Sequence, residues 1–183
     1  AGDAMQALAF EVLTPDPEAV APALQARLCA LLARSAGHAG MAGGQAIDLA
    51  SVGRVLDENA LRDMHRRKTG ALLQASVLMG AACGDCSEPA WQALADYGGA
   101  VGLAFQIVDD ILDVTQASET LGKTAGKDVD ANKPTYVSVL GLEPARRQAQ
   151  ALRAQAHEAL RRSGLRAPQA LALLADRVVD RGN

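Results

Sequence analysis

Between Phe105 and Pro134 the chain sets the carboxylate-rich run FQIVDDILD a short distance ahead of lysines in LGKTAGKD and NKPT. On a helix turning ~100° per residue, Asp109 and Asp113 fall on one face a turn apart, Asp110 sits a step round, and Gln106 lies one turn before Asp110. Carboxylates that close repel one another when ionised, and the surrounding AVGLAFQIVDDILDV is apolar, so a cation is expected to offset the charge. Magnesium suits the donors: it prefers oxygen, keeps several waters, and is commonly shared between one or two carboxylates and substrate phosphates. A solvated acidic helix end would explain the aspartates, but not Lys123, Lys127 and Lys133 just downstream. Those lysines stand in a stretch punctuated by Gly122 and Gly126 that reads as a loop, where an ammonium can reach a phosphate as a point charge. Carboxylates with metal on one side and lysines on the other make a site for a magnesium-bound diphosphate.

Upstream, Lys68 and Thr69 sit in KTGALLQASVLMG, an apolar setting in which a buried ammonium needs an anionic partner. A diphosphate is one such partner; the alternative is a lysine that snorkels to the solvated face of Arg66 and Arg67. Gln45 and Asp48 of GMAGGQAIDL read as inward polar contacts near the same cavity. Gly98, Gly99 and Gly102 each weaken a helix by about 1 kcal/mol relative to alanine, so close helix packing or ligand approach must explain them. His38 and His65 read as structural or surface residues. Cys83 and Cys86 of CGDC have zinc or redox spacing, but no second pair or histidine cluster completes a site.

The elements that must hold these residues are helices. Period-2 strand patterns are absent, and 183 residues with 49% hydrophobic content can bury one sizeable core, so a single all-α domain is expected over residues 1–183. Asp16-Pro17-Glu18 reads as the start of a helix running to Ala36 and ended by Gly37 and Gly40. Asp57 caps the helix that carries KTG, and Ser87 before Glu88-Pro89 opens the long segment through Val114 that carries the carboxylates. Glu143-Pro144 begins a charged amphipathic helix, and Ala167 to Val179 forms the last. A net charge of −3 and 3% aromatic residues exclude an electrostatic or stacking platform for nucleic acid. The longest uncharged run, Thr69 to Gly84, is too short to span a bilayer.

The order FQ..DD..D, GK...GKD and the lysine of NKPT resembles the second aspartate-rich region of trans-prenyl diphosphate synthases, most closely the bacterial farnesyl diphosphate synthases (geranyltranstransferases). GMAGGQAIDL and MHRRKTGALLQAS resemble two further signatures of that family in the right order, and the opening AGDAMQALAFEVL resembles its helix after the first aspartate-rich motif. The resemblance implies an all-α bundle of the isoprenoid synthase type. It implies Mg2+ held by Asp109, Asp110 and Asp113, with Lys68, Lys123 and Lys133 as cationic donors and Thr69 and Gln106 orienting the diphosphate. The implied reaction condenses isopentenyl diphosphate with dimethylallyl or geranyl diphosphate to farnesyl diphosphate and releases diphosphate. A cytoplasmic homodimer is the accompanying expectation, with Met5 to Leu13 contributing to its interface. One departure stands out: no second DDxxD occurs in the chain. The chain therefore reads as the downstream part of a longer prenyltransferase, and the alternative is a noncatalytic or truncated helical subunit that binds magnesium diphosphate but needs an upstream segment or partner.

Overall fold

The computed structural model of the chain describes residues 2–119 and 134–182, and among these every regular element is a helix. In order they are α1 (Gly2–Leu13), α2 (Pro22–Ala36), α3 (Met41–Ala50), α4 (Glu58–His65), a π turn (Arg66–Gly70), α5 (Ala71–Ala82) and α6 (Glu88–Glu119). After residue 133 come α7 (Tyr136–Leu140), α8 (Leu142–Ser163), α9 (Gln169–Val179) and a closing 3-10 turn (Asp180–Gly182). The lysines at 123, 127 and 133 lie outside the described residues.

Local chemistry accounts for several helix ends. Asp57 accepts a hydrogen bond from the Ala60 amide at 2.8 Å and starts α4, as its type and position predict. Ser87 Oγ receives the Ala90 amide at 3.4 Å ahead of α6. Gly164, at φ +66°, closes α8 in the left-handed conformation that favours glycine. The expected start at Asp16 is not a helix start: Asp16 Oδ1 instead accepts from the Glu18 amide at 2.9 Å in a local turn. Pro22 has no N–H for a helix arriving from upstream and drives Ala21 to an extended ψ of 134°, so α2 begins at the proline.

The 32-residue α6, about 48 Å long at 1.5 Å per residue, is the axis of the bundle. It packs along α8 on one side and α5 on another, while α9 and α7 complete the wall. Tyr97, Tyr136, Leu61, Met64 and Ile107 are the largest fully buried side chains, each worth about 1.5–3 kcal/mol of apolar burial for its hydrocarbon part. The Tyr97 hydroxyl donates to the Leu171 carbonyl at 2.8 Å and ties α6 to α9. Burial pushes its phenol up to about 12.

Glycines set two of the spacings near the aspartates. A Cβ on Gly102 would lie 2.7 Å from Gly70 Cα, and one on Gly44 would lie 2.2 Å from the Lys68 amide nitrogen. These contacts let α6 meet the π turn and let α3 meet it from another side. Packing, the commoner reason for a helical glycine, therefore holds at Gly98 and Gly102, since a Gly98 Cβ would meet Gln74 Cα at 2.8 Å.

Candidate diphosphate site at the junction of the π turn and the central helix

The KTG sequence does not continue α4 as a regular helix. Arg66 to Gly70 form a π turn, whose extra residue per turn rotates the side chains that follow and which commonly marks functional positions. Lys68 points to α3, where its Nζ meets Asp48 Oδ2 at 2.6 Å. Asp48 is 5% exposed and Lys68 30%, so the carboxylate is enclosed while the ammonium still reaches solvent. Thr69 points to α6 and donates to Gln106 Oε1 at 3.0 Å.

From Gln106 the network continues inward. Gln106 Nε2 donates to Asp110 Oδ1 at 3.1 Å, and the Tyr136 amide donates to Asp110 Oδ2 at 2.7 Å. The Tyr136 bond places the carboxylate where the chain re-enters the bundle, at the start of α7. Thr135 and Ser138 fix that start as a capping box, with Ser138 N to Thr135 Oγ1 at 3.1 Å and Thr135 N to Ser138 Oγ at 2.9 Å. His65 stacks on Tyr136 with ring centroids 5.6 Å apart and brings Nε2 within 3.9 Å of Asp110 Oδ2. Burial raises the Tyr136 phenol to about 12, with the Arg62 guanidinium acting in the opposite direction.

The three aspartates grouped by the sequence thus occupy two environments. Asp110 is buried and hydrogen-bonded within the protein, whereas Asp109 and Asp113, one turn apart on α6, are exposed. Among the described residues no group of three histidine, cysteine or acidic side chains is gathered tightly enough to enclose a metal. Two exposed carboxylates one turn apart fit magnesium as a shared ligand, with the remaining oxygens supplied by water and phosphate. They do not form a closed protein cage. Thr69 bonds Gln106 of α6 while its neighbour Lys68 turns to Asp48 of α3; Lys123 and Lys133 fall outside the described residues.

Sequence reasoning missed His65 and Tyr136 as parts of the site's support. A histidine directly ahead of RRKTG, in an amphipathic helix, was the available signal for the first. No local signal marks Tyr136, because its contact with Asp110 spans 26 residues. Cys29, Cys83 and Cys86 are free thiols, with Cys83 exposed on the turn between α5 and α6.

Comparison with known proteins finds relatives over nearly the whole chain. A family model described as polyprenyl synthetase matches residues 1–174. Farnesyl diphosphate synthase of Escherichia coli is 42% identical over 185 residues, which cover 99% of this chain and 62% of that protein. A chloroplastic geranylgeranyl pyrophosphate synthase of Arabidopsis thaliana is 46% identical over 164 residues, covering 87% of this chain and 46% of that protein. A geranyltransferase from Helicobacter pylori, solved in complex with magnesium and isoprenyl diphosphate, superposes with a TM-score of 0.79 at 32% identity, over 98% of this chain and 58% of that one. The chain therefore spans about half to three fifths of these relatives.

Proposed function

Because the chain belongs to the polyprenyl synthetase family, we propose that it carries the diphosphate-handling part of a prenyltransferase. The reaction condenses isopentenyl diphosphate with an allylic diphosphate, dimethylallyl or geranyl, to farnesyl diphosphate. The allylic C–O bond breaks and its electron pair leaves with diphosphate; the isopentenyl double bond then attacks the allylic carbon, and a proton is lost from the adduct. The observation that carries this reading is that Thr69 of the π turn, next in sequence to Lys68, bonds Gln106 of α6, the helix that also carries exposed Asp109 and Asp113.

Asp109 and Asp113 would hold magnesium, which would supply positive charge against the oxygens of the leaving group. The chain's own residues do the rest. Lys68 swings or shares its ammonium between Asp48 and a diphosphate oxygen, at a site where a preorganised cation stabilises charge developing on the leaving group. Thr69 and Gln106 orient that group through a hydroxyl and an amide already fixed by each other. Lys123 and Lys133 add further donors from the segment between α6 and α7. Asp110, in contrast to the exposed pair, holds the end of α6 against α7 so that the other side chains keep their positions.

A cytoplasmic homodimer belongs to the same reading. No helix among the described residues is long and apolar enough to cross a membrane. On α1, Met5, Leu8 and Val12 recur at helical spacing and are 69%, 54% and 68% exposed, which supports an interface there. A second reading rests on the single DDxxD of this sequence: a helical unit that binds magnesium diphosphate without turning it over.

One experiment separates the readings. The purified chain is titrated with diphosphate with and without magnesium, then incubated with isopentenyl and geranyl diphosphates while product length is followed by chromatography. Magnesium-dependent diphosphate binding that is lost in Asp109→Asn, together with a farnesyl product, is expected. Binding without product selects the noncatalytic reading. A folded chain with no magnesium-dependent diphosphate affinity refutes both.

A further inference from the structure

The CGDC run, Cys83 to Cys86, takes no part in the diphosphate site. Helix α5 starts beside the π turn and ends at its C-cap Cys83, about 18 Å further on at 1.5 Å per residue. Residues 83–87 then join it to α6. The two helices are antiparallel neighbours. A Cβ on Gly102 would meet Gly70 and one on Gly98 would meet Gln74, so each turn forward on α5 is matched by a turn back on α6. The bond from Gln74 Nε2 to the Ala95 carbonyl, at 2.9 Å, follows the same order. Continued, that register pairs Ala82 with Ala90 and closes on Cys86. The chain therefore reverses within 83–87, and the reversal folds Cys86 back towards Cys83.

The two thiols differ in access: Cys83 is exposed, whereas Cys86 is half-buried against the core. Neither is firmly held. Cys83 Sγ donates to the Met79 carbonyl at 3.3 Å, one turn back on α5, and Cys86 Sγ to the Ser87 carbonyl at 3.6 Å. Thiols are weak donors, and the Ser87 carbonyl already accepts the Trp91 amide at 2.8 Å, so rotating either side chain gives up little. A disulfide needs Cα atoms roughly 4.4–6.8 Å apart, which matches the span of a four-residue reversal, below about 7 Å. A Cβ on Gly84, between the two, would meet nothing within 4 Å, so the turn can close without displacing a neighbour.

A structural zinc needs further ligands, and among the described residues no group of three histidine, cysteine or acidic side chains gathers to supply them. The remaining cysteine, Cys29, is half-buried inside α2. We propose that Cys83 and Cys86 form a thiol–disulfide couple that exchanges with small disulfides of the glutathione type. The exposed Cys83 thiolate attacks one sulfur of glutathione disulfide and releases a first glutathione. Cys86 then attacks the Cys83 sulfur of the mixed disulfide and releases the second. The two cysteines lose two electrons and two protons, and glutathione disulfide gains them as two thiols. The proposal does not rest on the prenyl-transfer reading.

In the test, the whole chain is reduced, desalted and equilibrated in glutathione buffers from fully reduced to fully oxidised, then quenched with N-ethylmaleimide and mapped by mass spectrometry after trypsin. Trypsin leaves Cys83 and Cys86 together on the peptide Thr69–Lys123 and Cys29 on Leu28–Arg34, so the pairing is read directly. Expected is conversion of Thr69–Lys123 to a form that has lost two hydrogens and takes no maleimide, with Cys29 outside any protein disulfide. Glutathione adduct on Cys83 should be at least tenfold lower in the parent chain than in Cys86→Ser, where nothing resolves the mixed disulfide, and Cys29→Ser should behave as the parent. A Thr69–Lys123 peptide that stays fully alkylated, or carries only mixed disulfides, at every ratio overturns the proposal. So does a bond from Cys29 to either thiol, a chain-to-chain disulfide through Cys83, or equal adduct in the parent and Cys86→Ser.

Discussion

Asp109 and Asp110 are adjacent and chemically identical, yet replacing each by asparagine should have opposite consequences in the absence of metal. Asp110 is 3% exposed and accepts the Tyr136 amide at 2.7 Å and Gln106 Nε2 at 3.1 Å. An asparagine there has one oxygen and one NH2, so it must turn a donor towards either the Tyr136 N–H or the Gln106 amide. If Gln106 flips to present its oxygen, its NH2 then faces the Thr69 hydroxyl, which must give up the 3.0 Å bond it now donates. Hydrogen bonds to a charged group contribute about 1.5–3 kcal/mol, and a buried donor left unmatched costs about 1–3 kcal/mol. A net loss of about 2 kcal/mol is therefore expected, partly relieved by the flip. For a domain of this size, that lowers Tm by roughly 4–8 °C. Asp109 is exposed, and its neutralisation removes repulsion between neighbouring carboxylates, so Asp109→Asn should change apo stability by no more than about 0.5 kcal/mol. The assay is a pair of thermal melts for each variant, in EDTA and in magnesium with diphosphate. The expected pattern is a lowered EDTA melt with retained ligand stabilisation for Asp110→Asn, and the reverse for Asp109→Asn. Equal EDTA melts for the two variants refute the division of roles.

Two further outcomes follow from packing. Both tyrosines of the chain are fully buried, and burial holds each phenol at about 12 against about 10 when unfolded. The neutral form is thus favoured by the fold. Its contribution, about 2–3 kcal/mol per tyrosine, is complete below pH 10 and is lost as pH rises from 10 towards 12. Tyrosinate absorbance should therefore appear only together with loss of helical circular dichroism; a tyrosinate transition near pH 10 in a still-helical chain contradicts this. Gly102→Ala should destabilise despite alanine's better helix propensity, because its Cβ falls 2.7 Å from the Gly70 backbone. A cost of about 1–3 kcal/mol, read by urea denaturation, is expected for such overpacking, and a neutral or stabilising result shows that the α6 to π-turn contact is softer than described.

How much was legible in the sequence depended on the range of the interaction. Asp57 and Ser87 were readable as caps because a cap is a matter of three residues, and the FQ..DD..D stripe because helical periodicity alone sets which residues share a face. The π turn was not legible. RRKTG has no local feature that separates it from one more turn of α4, and its extra residue is stabilised by contacts with Gly44 and Gly102 from two other helices. The start of α2 was misplaced because Asp16-Pro17-Glu18 fits a helix entry as well as it fits the turn it forms, and Pro22 decides between them. Lys68 was legible as a cation needing an anion, but not its choice of Asp48, which depends on how α3 meets the π turn.

The separation of Asp109 from Asp110 follows from helix geometry. A step of 100° along α6 takes one carboxylate to solvent and the next into the bundle, so the paired aspartates meet different surroundings. The inner one has to be satisfied by the protein, since an unpaired buried carboxylate is prohibitively costly, and the nearest available donors are those that lock α6 to the Thr135–Tyr136 corner. That corner is where the chain returns from residues 120–133, the stretch bearing Lys123, Lys127 and Lys133. Asp110 therefore ties the Thr135–Tyr136 corner to the helix that presents Asp109 and Asp113. Loss of Asp110 should loosen this corner and lower stability while magnesium-diphosphate binding is retained, whereas loss of Asp109 removes a charge from a fold that stays intact.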